Sequence, residues 1–264
     1  MALPGVKFEI ECFNYLQATY GAICKPEHFG KSNSTLSDIK VTAGCSSFFI
    51  EVKAAKAQAG QFVLLPDYND RKFIFSPANQ TEANEYTTAM TDHMNAGFEL
   101  FINAGTRGQA LALDSHIYSL WIMDYYRSKG VRFFMSKKNH YIILPLDRFE
   151  HYFDVTAKFR MKRSGSSEPS PGSMEQIIDV LKSQYGATDP VITGKKLFVR
   201  GDSAISKQHF KIGQAEYRIS PKTENQFEIR KLSDTYNSNV IFSTSLKAPQ
   251  DPADLQLFEQ AINQ

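Results

Sequence analysis

The hydrophobic positions of the first 150 residues alternate between helical and strand spacing. Apolar side chains recur every three to four residues over 7–20, 80–96 and 115–128, which predicts three helices. Short runs rich in β-branched and aromatic residues predict strands over 37–41, 46–53, 61–65, 72–75, 131–136 and 140–146. Turn residues dominate 21–34, which is predicted as a loop, and Pro66 is expected to end the strand over 61–65. This mixture predicts an α/β protein, equally described as α+β.

The pattern changes after residue 153. A strand with regular alternation is predicted over 154–163, and the stretch 164–173 is dense in Ser, Pro and Gly, which is typical of a linker. Beyond the linker we expect helices over 174–185 and 252–262, and short strands over 197–200, 210–213, 217–219, 227–232 and 240–246. We therefore expect a core with a mixed sheet flanked by helices over 1–153, and a β-rich region over 154–264.

Three polar residues stand out among the apolar strands near the N-terminus. Glu51 and Lys53 share one face of the strand 46–53, since side chains alternate along a strand. Pairing with the preceding strand as a hairpin would bring Asp38 next to Glu51. Two adjacent carboxylates repel unless a cation lies between them, and a nearby lysine can hold and polarise a water. This is the pattern of the PD-(D/E)xK nucleases, with Ser37 in place of the proline. A surface ion pair is the alternative for Glu51 and Lys53 taken alone.

Other polar residues are weaker candidates for the same site. Glu9 lies on the apolar side of the first helix, where a carboxylate is either a rim residue or part of a metal site. Gln58 and Gln61 follow soon after Lys53, and each either reaches the active site or a phosphate, or bonds only to local backbone. Arg107 lies in a polar loop and either enters a DNA groove or is simply solvated.

Positive charge is unevenly placed along the chain. The formal net charge is only +2, yet residues 127–163 hold ten Lys or Arg against three Asp or Glu, and residues 195–231 hold nine against four. Basic stretches interleaved with aromatic residues suit a polyanion-binding surface, although solvated faces are the alternative. Arg and Lys can contact guanine, and Ser can hold phosphate. The strongest candidates for DNA contact lie on or after the strand 154–163: Lys158, Arg160, Lys162, Arg163, Ser164 and Ser166.

Composition excludes several classes of function. With 264 residues, 42% of them hydrophobic and 22% charged, the chain is typical of a soluble globular protein. No apolar run approaches the roughly 18 residues of a membrane span, and the start lacks the features of a signal peptide. Cys12, Cys24 and Cys45 are expected to be reduced thiols in a cytoplasm. No His/Cys cluster indicates zinc, and no glycine-rich phosphate loop indicates a nucleotide cofactor.

Long segments of the chain resemble the HhaI-type restriction endonucleases from end to end. They are YLQATYG, STLSDI, FFIEVK, QAGQFVLLP, FEHYFDVTAKFRMKRSGS and LSDTYNSNVIFSTSLK. The segments are long and idiosyncratic, so chance agreement is implausible. The match is poor between 186 and 226, and the hairpin between Asp38 and Glu51 is one residue longer here.

This resemblance implies a PD-(D/E)xK fold and a function. We expect a type II restriction endonuclease of a prokaryotic cytoplasm that cuts double-stranded DNA with Mg²⁺ at GCGC and acts as a monomer. By the resemblance, Asp38, Glu51 and Val52 would bind metal, Lys53 would act on the attacking water, and Glu9 and Gln61 would support catalysis. The β-rich C-terminal region would recognise and hold DNA. A companion DNA methyltransferase would act on the same site without binding to the nuclease.

Two alternatives stay open. A repair or junction-resolving nuclease of the same superfamily would cut by DNA shape and would need a dimer. A DNA-binding protein with an inactive nuclease core belongs to a different class, although the intact set of Asp38, Glu51 and Lys53 argues against it.

Overall fold

A computed structural model describes residues 4–29, 37–163 and 165–263 of the chain. The α-helices within these residues are α1 (Pro4–Tyr20), α2 (Glu85–Ala96), α3 (Phe98–Ile102), α4 (Ser115–Ser128), α5 (Phe149–Tyr152), α6 (Met174–Tyr185) and α7 (Pro252–Ile262). None of the described helices is long and apolar enough to cross a membrane. The predicted helices over 7–20, 115–128, 174–185 and 252–262 are confirmed. The helix predicted over 80–96 begins later, because Asn84 and Thr87 form a reciprocal capping box at its start.

The strands are more numerous than the sequence pattern predicts. They are β1 (Lys25–His28), β2 (Ile39–Ala43), β3 (Ser46–Val52), β4 (Lys56–Asp67), β5 (Lys72–Phe75), β6 (Gln109–Ala110), β7 (Val131–Lys137), β8 (Tyr141–Pro145), β9 (Phe153–Arg163), β10 (Ser166–Ser167), β11 (Thr188–Thr193), β12 (Lys196–Arg200), β13 (His209–Ile212), β14 (Ala215–Pro221), β15 (Gln226–Leu232) and β16 (Tyr236–Leu246). Together with the helices they form a mixed α/β fold, as predicted.

In the described ranges the strands form three sheets. The first has the order β1-β2-β3-β7-β8, and all its neighbours are antiparallel except the parallel pair β3 and β7. The second has the order β5-β4-β16-β9-β6. The third has the order β11-β12-β15-β14-β13, with β10 also paired to β15.

The chain divides into two compact units, one of residues 1–161 with 238–264 and the other of residues 162–237. This division differs from the predicted boundary at 153 because the chain returns to its first unit. There β16 pairs with β4, and Phe258 of α7 packs into the core beneath the first sheet. The predicted linker over 164–173 also belongs to the second unit, since β10 pairs with β15 inside it. The roles predicted for the two regions stay predictions.

Two apolar cores hold the first sheet in the first unit. One face of β3 presents Phe48, Ile50 and Val52 to a core that also contains residues of α1 and α7. The other face of the sheet contributes Val131, Phe134, Ile142 and Leu144 to a second core, which it shares with α4 and the second sheet. The alternation predicted for β3 is therefore confirmed, and Glu51 is turned away from the α1 side.

Three local predictions are corrected by the structure. The stretch predicted as a loop over 21–34 contains β1, whose residues pair with β2, while its residues 30–34 lie outside the described ranges. The strand predicted over 61–65 runs from Lys56 to Asp67, and Pro66 lies inside it, paired with Phe73. Residues 188–193, for which no strand was expected, form β11 at the edge of the third sheet.

Candidate active site

The β2–β3 hairpin brings the two leading carboxylates together. Ile39 pairs with Ile50 in this hairpin, so Asp38 and Glu51 take the neighbouring positions. The Asp38 Oδ2 atom accepts a hydrogen bond from the backbone N–H of Val52 at 2.9 Å. A tight turn closes the hairpin, with Gly44 in the left-handed region at φ 54°. Local strand pairing therefore places Asp38 beside the strand that carries Glu51.

Lys53 completes the cluster directly after β3. Its ammonium forms an ion pair with Glu51, and both side chains are largely buried. The Lys53 Nζ atom also lies over the Tyr126 ring, 5.4 Å from its centre, in a cation–π contact that stabilises the ammonium. The backbone N–H of Lys53 donates to the carbonyl of Met135 on β7 at 2.9 Å. The parallel pairing of β3 with β7 thus positions the Lys53 backbone, and the ion pair with Glu51 positions its ammonium.

Burial and like charge perturb the ionisation of this cluster. Desolvation, followed by the charge of Glu51, raises the pKa of Asp38 to about 7, although Lys53 and the Val52 N–H act in the opposite direction. Burial opposes the charge of Lys53, yet the charges of Glu51, Tyr126 and Asp38 together raise the pKa of Lys53 well above its usual range. Lys53 is therefore a permanent cation in this cluster, whereas the carboxyl group of Asp38 ionises only near neutral pH.

The donor atoms suit a hard divalent cation. Asp38 and Glu51 offer carboxylate oxygens, and Val52, whose side chain is buried in the core, has only its backbone carbonyl to offer. No group of three or more His, Cys, Asp or Glu residues able to hold a metal is found within the described ranges. Mg²⁺ commonly binds through one or two carboxylates and keeps several waters, so this small donor set fits Mg²⁺ better than zinc. The raised pKa of Asp38 marks the place where added positive charge would relieve repulsion.

Glu9 lies close to the cluster, together with a histidine that the sequence pattern did not single out. The charge of Glu9 is one of the causes that raise the pKa of Asp38. The Oε2 atom of Glu9 lies 3.5 Å from Nε2 of His28, which is in β1. Sequence reasoning missed His28 because it treated this segment as a loop, and only strand pairing with β2 brings the histidine here.

Gln61 lies on the second sheet and not on the β2–β3 hairpin. It belongs to β4 in the second sheet and accepts a hydrogen bond from Gln58 at 3.3 Å. Both residues line a pocket of about 360 Å³ together with Asn79 and Tyr125. No hydrogen bond or ion pair among the described residues joins Gln61 to Asp38, Glu51 or Lys53. A catalytic role for Gln61 stays a prediction.

Three predicted DNA contacts lie close together in the first unit. Lys158 and Arg160 alternate with buried residues along β9, and Lys158 is exposed. Arg107 is exposed in the loop that precedes β6, and β6 pairs with this part of β9. At Gly108 a side chain would collide with Lys158 and the Phe159 carbonyl, so the loop approaches β9 closely. The Nε atom of Arg160 is buried and has no hydrogen-bond partner within the described part of the molecule.

The predicted contacts of the second unit differ in how accessible they are. Lys162 is exposed. Arg163 forms an ion pair with Glu216 and donates to the carbonyl of Ser233 at 3.2 Å, so its guanidinium already has internal acceptors. Ser166 accepts hydrogen bonds from Arg230 at its hydroxyl and at its carbonyl, at 3.3 and 2.7 Å. Ser164 lies outside the described residues.

Comparison with known proteins shows which family this chain resembles. Neither protein-family models nor curated protein sequences give a match. A solved structure of HhaI endonuclease in complex with DNA, obtained at pH 6.0, is 34% identical to the chain with a TM-score of 0.73. The similarity covers 99% of this chain and 100% of that one. The chain belongs to the HhaI endonuclease family.

Membership in the HhaI family extends through both units, because the similarity leaves almost no residue of either chain unmatched. The resemblance stated from sequence segments is thus confirmed, and so is the restriction-endonuclease fold. The third sheet, which holds the stretch over 186–226 that matches poorly in sequence, falls within the covered length.

Proposed function

We propose that this member of the HhaI family is a type II restriction endonuclease that makes Mg²⁺-dependent double-strand cuts in DNA at GCGC. The observation that carries the proposal is the cluster of Asp38, Glu51 and Lys53 at the end of a β-hairpin, with Asp38 held by the Val52 N–H. The HhaI neighbour was solved with DNA, which supports double-stranded DNA as the ligand of this chain as well.

Asp38, Glu51 and the carbonyl of Val52 would hold Mg²⁺. When bound, Mg²⁺ supplies charge neutralisation at the scissile phosphate and lowers the pKa of a water. Asp38 must lose its proton to serve as a ligand, and its raised pKa makes this ionisation sensitive to pH near neutrality.

Lys53 is the group best suited to act on the attacking water. It is buried and ion-paired with Glu51, and its raised pKa keeps it protonated throughout the physiological range. A protonated lysine cannot remove a proton from water. It can orient the water by hydrogen bonding and stabilise the negative charge that develops on the phosphate oxygens. We therefore assign Lys53 an orienting and electrostatic role.

Sequence recognition would rest on cations that face the DNA. Reading GCGC needs Arg or Lys against guanine O6 and N7, and an acceptor against the cytosine amino group. In the first unit, Lys158, Arg160 and Arg107 are the candidates. In the second unit, the exposed Lys162 suits a phosphate contact better than Arg163, which Glu216 already holds. A monomer with one such site would cut the two strands one after the other, in a cytoplasm where a companion methyltransferase protects the host DNA.

The test is cleavage of unmethylated DNA of known sequence, with Mg²⁺ or with EDTA, followed by sequencing of the ends. We expect discrete ends, all at GCGC, that form only with Mg²⁺. Discrete ends at other sequences would overturn the GCGC assignment, while cuts that share no sequence would favour a nuclease that cuts by DNA shape, such as a junction-resolving enzyme. Binding without any cleavage would favour an inactive core.

A further inference from the structure

A buried carboxylate and imidazole face each other beside the proposed metal site. The Oε2 atom of Glu9 and the Nε2 atom of His28 are 3.5 Å apart, and their side chains are 19% and 9% exposed. Each of these two atoms is sealed from solvent, and neither makes a hydrogen bond, to the other or to any other group in the described part of the structure. A buried polar atom without a partner is costly, so such a pair calls for an explanation.

Both residues are attached to the elements that carry Asp38. His28 pairs with Ile39, the residue after Asp38, and the N–H of Phe29 donates to the Asp38 carbonyl at 2.8 Å. Glu9 lies on α1, which packs against the same hairpin through Cys12 and Leu16. The charge of Glu9 is one of the causes that raise the pKa of Asp38. The pair is therefore attached to the same secondary-structure elements as Asp38 and not to a surface loop.

The histidine ring is itself held in place. It contacts the Phe13 ring with 6.0 Å between ring centres. An imidazole nitrogen fixed in this way can hold one oxygen of a carboxylate and so set the plane of the whole group. Partners of this kind orient the residues around a metal and are part of how metal sites are built.

We propose that His28 is a positioning residue that holds Glu9 as an outer carboxylate of the metal site, where Glu9 accepts hydrogen bonds from water bound to the cation. Mg²⁺ keeps several of its waters in protein sites, and these waters need acceptors beyond the direct ligands. Asp38 and Glu51 alone leave this outer layer unassigned. This inference rests on the proposed function, because it assumes a cation at Asp38 and Glu51.

The experiment measures binding of Mn²⁺, a paramagnetic stand-in for Mg²⁺, to the full chain by the loss of the free Mn²⁺ resonance signal. The D38N variant defines the background binding that does not involve the site. His28→Ala removes the ring, and His28→Gln keeps an N–H donor near the position of Nε2. His116→Ala is the matched control, since His116 forms an exposed ion pair with Glu150 at 2.8 Å. Melting temperatures are recorded for every variant without metal.

We expect His28→Ala to weaken the Asp38-dependent binding of Mn²⁺ by about tenfold or more, the range typical of lost outer partners. His28→Gln should restore it to within about threefold, and His116→Ala should match the wild type. Glu9→Gln, which keeps the shape of Glu9 but removes its charge, should weaken binding as His28→Ala does.

Wild-type affinity in His28→Ala would overturn the inference, even if the melting temperature fell, because the pair would then only fasten α1 to β1. If His28→Ala does not fold, wild-type affinity in Glu9→Gln overturns it equally. A wild-type chain without any Asp38-dependent binding of Mn²⁺ would overturn the proposed function itself. That result can be told apart from Mn²⁺ binding that depends on Asp38 but is unchanged in His28→Ala, which would overturn only the role of His28.

Discussion

The backbone N–H of Val52, the residue between Glu51 and Lys53, donates a hydrogen bond to the carboxylate of Asp38 at 2.9 Å. This bond ties the first acidic residue to the strand that bears the other two. The Val52 side chain is buried in the core, and the backbone N–H of Lys53 donates a hydrogen bond to the Met135 carbonyl on β7. The strand therefore has little freedom to shift. The three side chains are consequently arranged before any ligand binds, which is what catalysis by charge placement requires.

Replacing Asp38 by Asn should stabilise the protein in EDTA. The folded-state pKa of Asp38 is about 7, above its ordinary value of 3.8, so the folded state binds more protons than the unfolded state between these values. Stability from this group is present below pH 4 and is lost as the pH rises towards 7. At pH 8, D38N should gain on the order of 4 kcal/mol in free energy of unfolding, since the folded and ordinary pKa values of Asp38 differ by about 3 and one pKa unit corresponds to about 1.4 kcal/mol.

Urea unfolding at pH 4 and pH 8 measures this difference. At pH 4 the two proteins should differ much less than at pH 8. Asp147→Asn is the control, because Asp147 is exposed and pairs with Arg127 at 2.6 Å. A D38N variant no more stable than wild type at pH 8 would show that burial and Glu51 do not strain the Asp38 carboxylate.

Replacing Lys53 by Ala should remove cleavage and also weaken the fold. The ammonium of Lys53 is the ion-pair partner of the buried Glu51, and a buried charge left unpaired costs about 3–5 kcal/mol. Thermal melting and single-turnover cleavage are measured on the same samples. Lys72→Ala is the control, since the pair of Lys72 with Asp70 is exposed and its loss should leave stability unchanged. Full activity in Lys53→Ala would refute the role assigned to Lys53.

The proximity of Asp38, Glu51 and Lys53 could be predicted from sequence because it depends only on local strand pairing. A period of two fixes which residues of β3 share a face, and a hairpin fixes which residue of β2 lies opposite. Asp38, Glu51 and Lys53 therefore followed from the pattern alone. The position of His28 did not follow from the pattern, because its segment, KPEH, contains a proline and shows no alternation of apolar residues. Only the pairing of His28 with Ile39 makes it a strand residue.

Long-range pairing explains what the sequence could not predict about the units. Residues of β4 and β16 that pair, such as Gln61 and Ile241, are far apart in the chain, and no local pattern encodes such a partner. The sequence pattern therefore places the C-terminal strand and helix in the second region, although they complete the first unit.

Lys158 and Arg160 should contribute to DNA binding through phosphate or base contacts. Each Ala substitution should weaken binding and lower the slope of log affinity against log salt by about 1 if a phosphate contact is lost. Fluorescence anisotropy with Ca²⁺ in place of Mg²⁺ measures this without cleavage. Arg127→Ala, which removes a cation already paired with Asp147, should leave the slope unchanged. An unchanged slope in both Lys158→Ala and Arg160→Ala would remove these residues from the DNA-contact surface.

One cysteine should react in the folded protein. Cys45 is exposed at the turn between β2 and β3, whereas Cys12 and Cys24 are buried. Burial raises the pKa of Cys12 to about 12 and raises that of Cys24 as well, so neither supplies thiolate at pH 8. A colorimetric thiol reagent should detect one fast thiol in buffer and three in urea. Fast reaction of two or three thiols in the folded state would contradict the burial of Cys12 and Cys24.

The most direct test of the central claim compares wild type and D38N in one assay of cleavage and binding on a GCGC duplex. Wild type should cut the duplex with Mg²⁺ and not with EDTA. D38N, which keeps an oxygen to accept from the Val52 N–H but loses the charge, should bind the same duplex in Ca²⁺ and cut at least about 100-fold more slowly in Mg²⁺. Cleavage by D38N at the wild-type rate would contradict the assignment of Asp38, Glu51 and Lys53 as the nuclease centre.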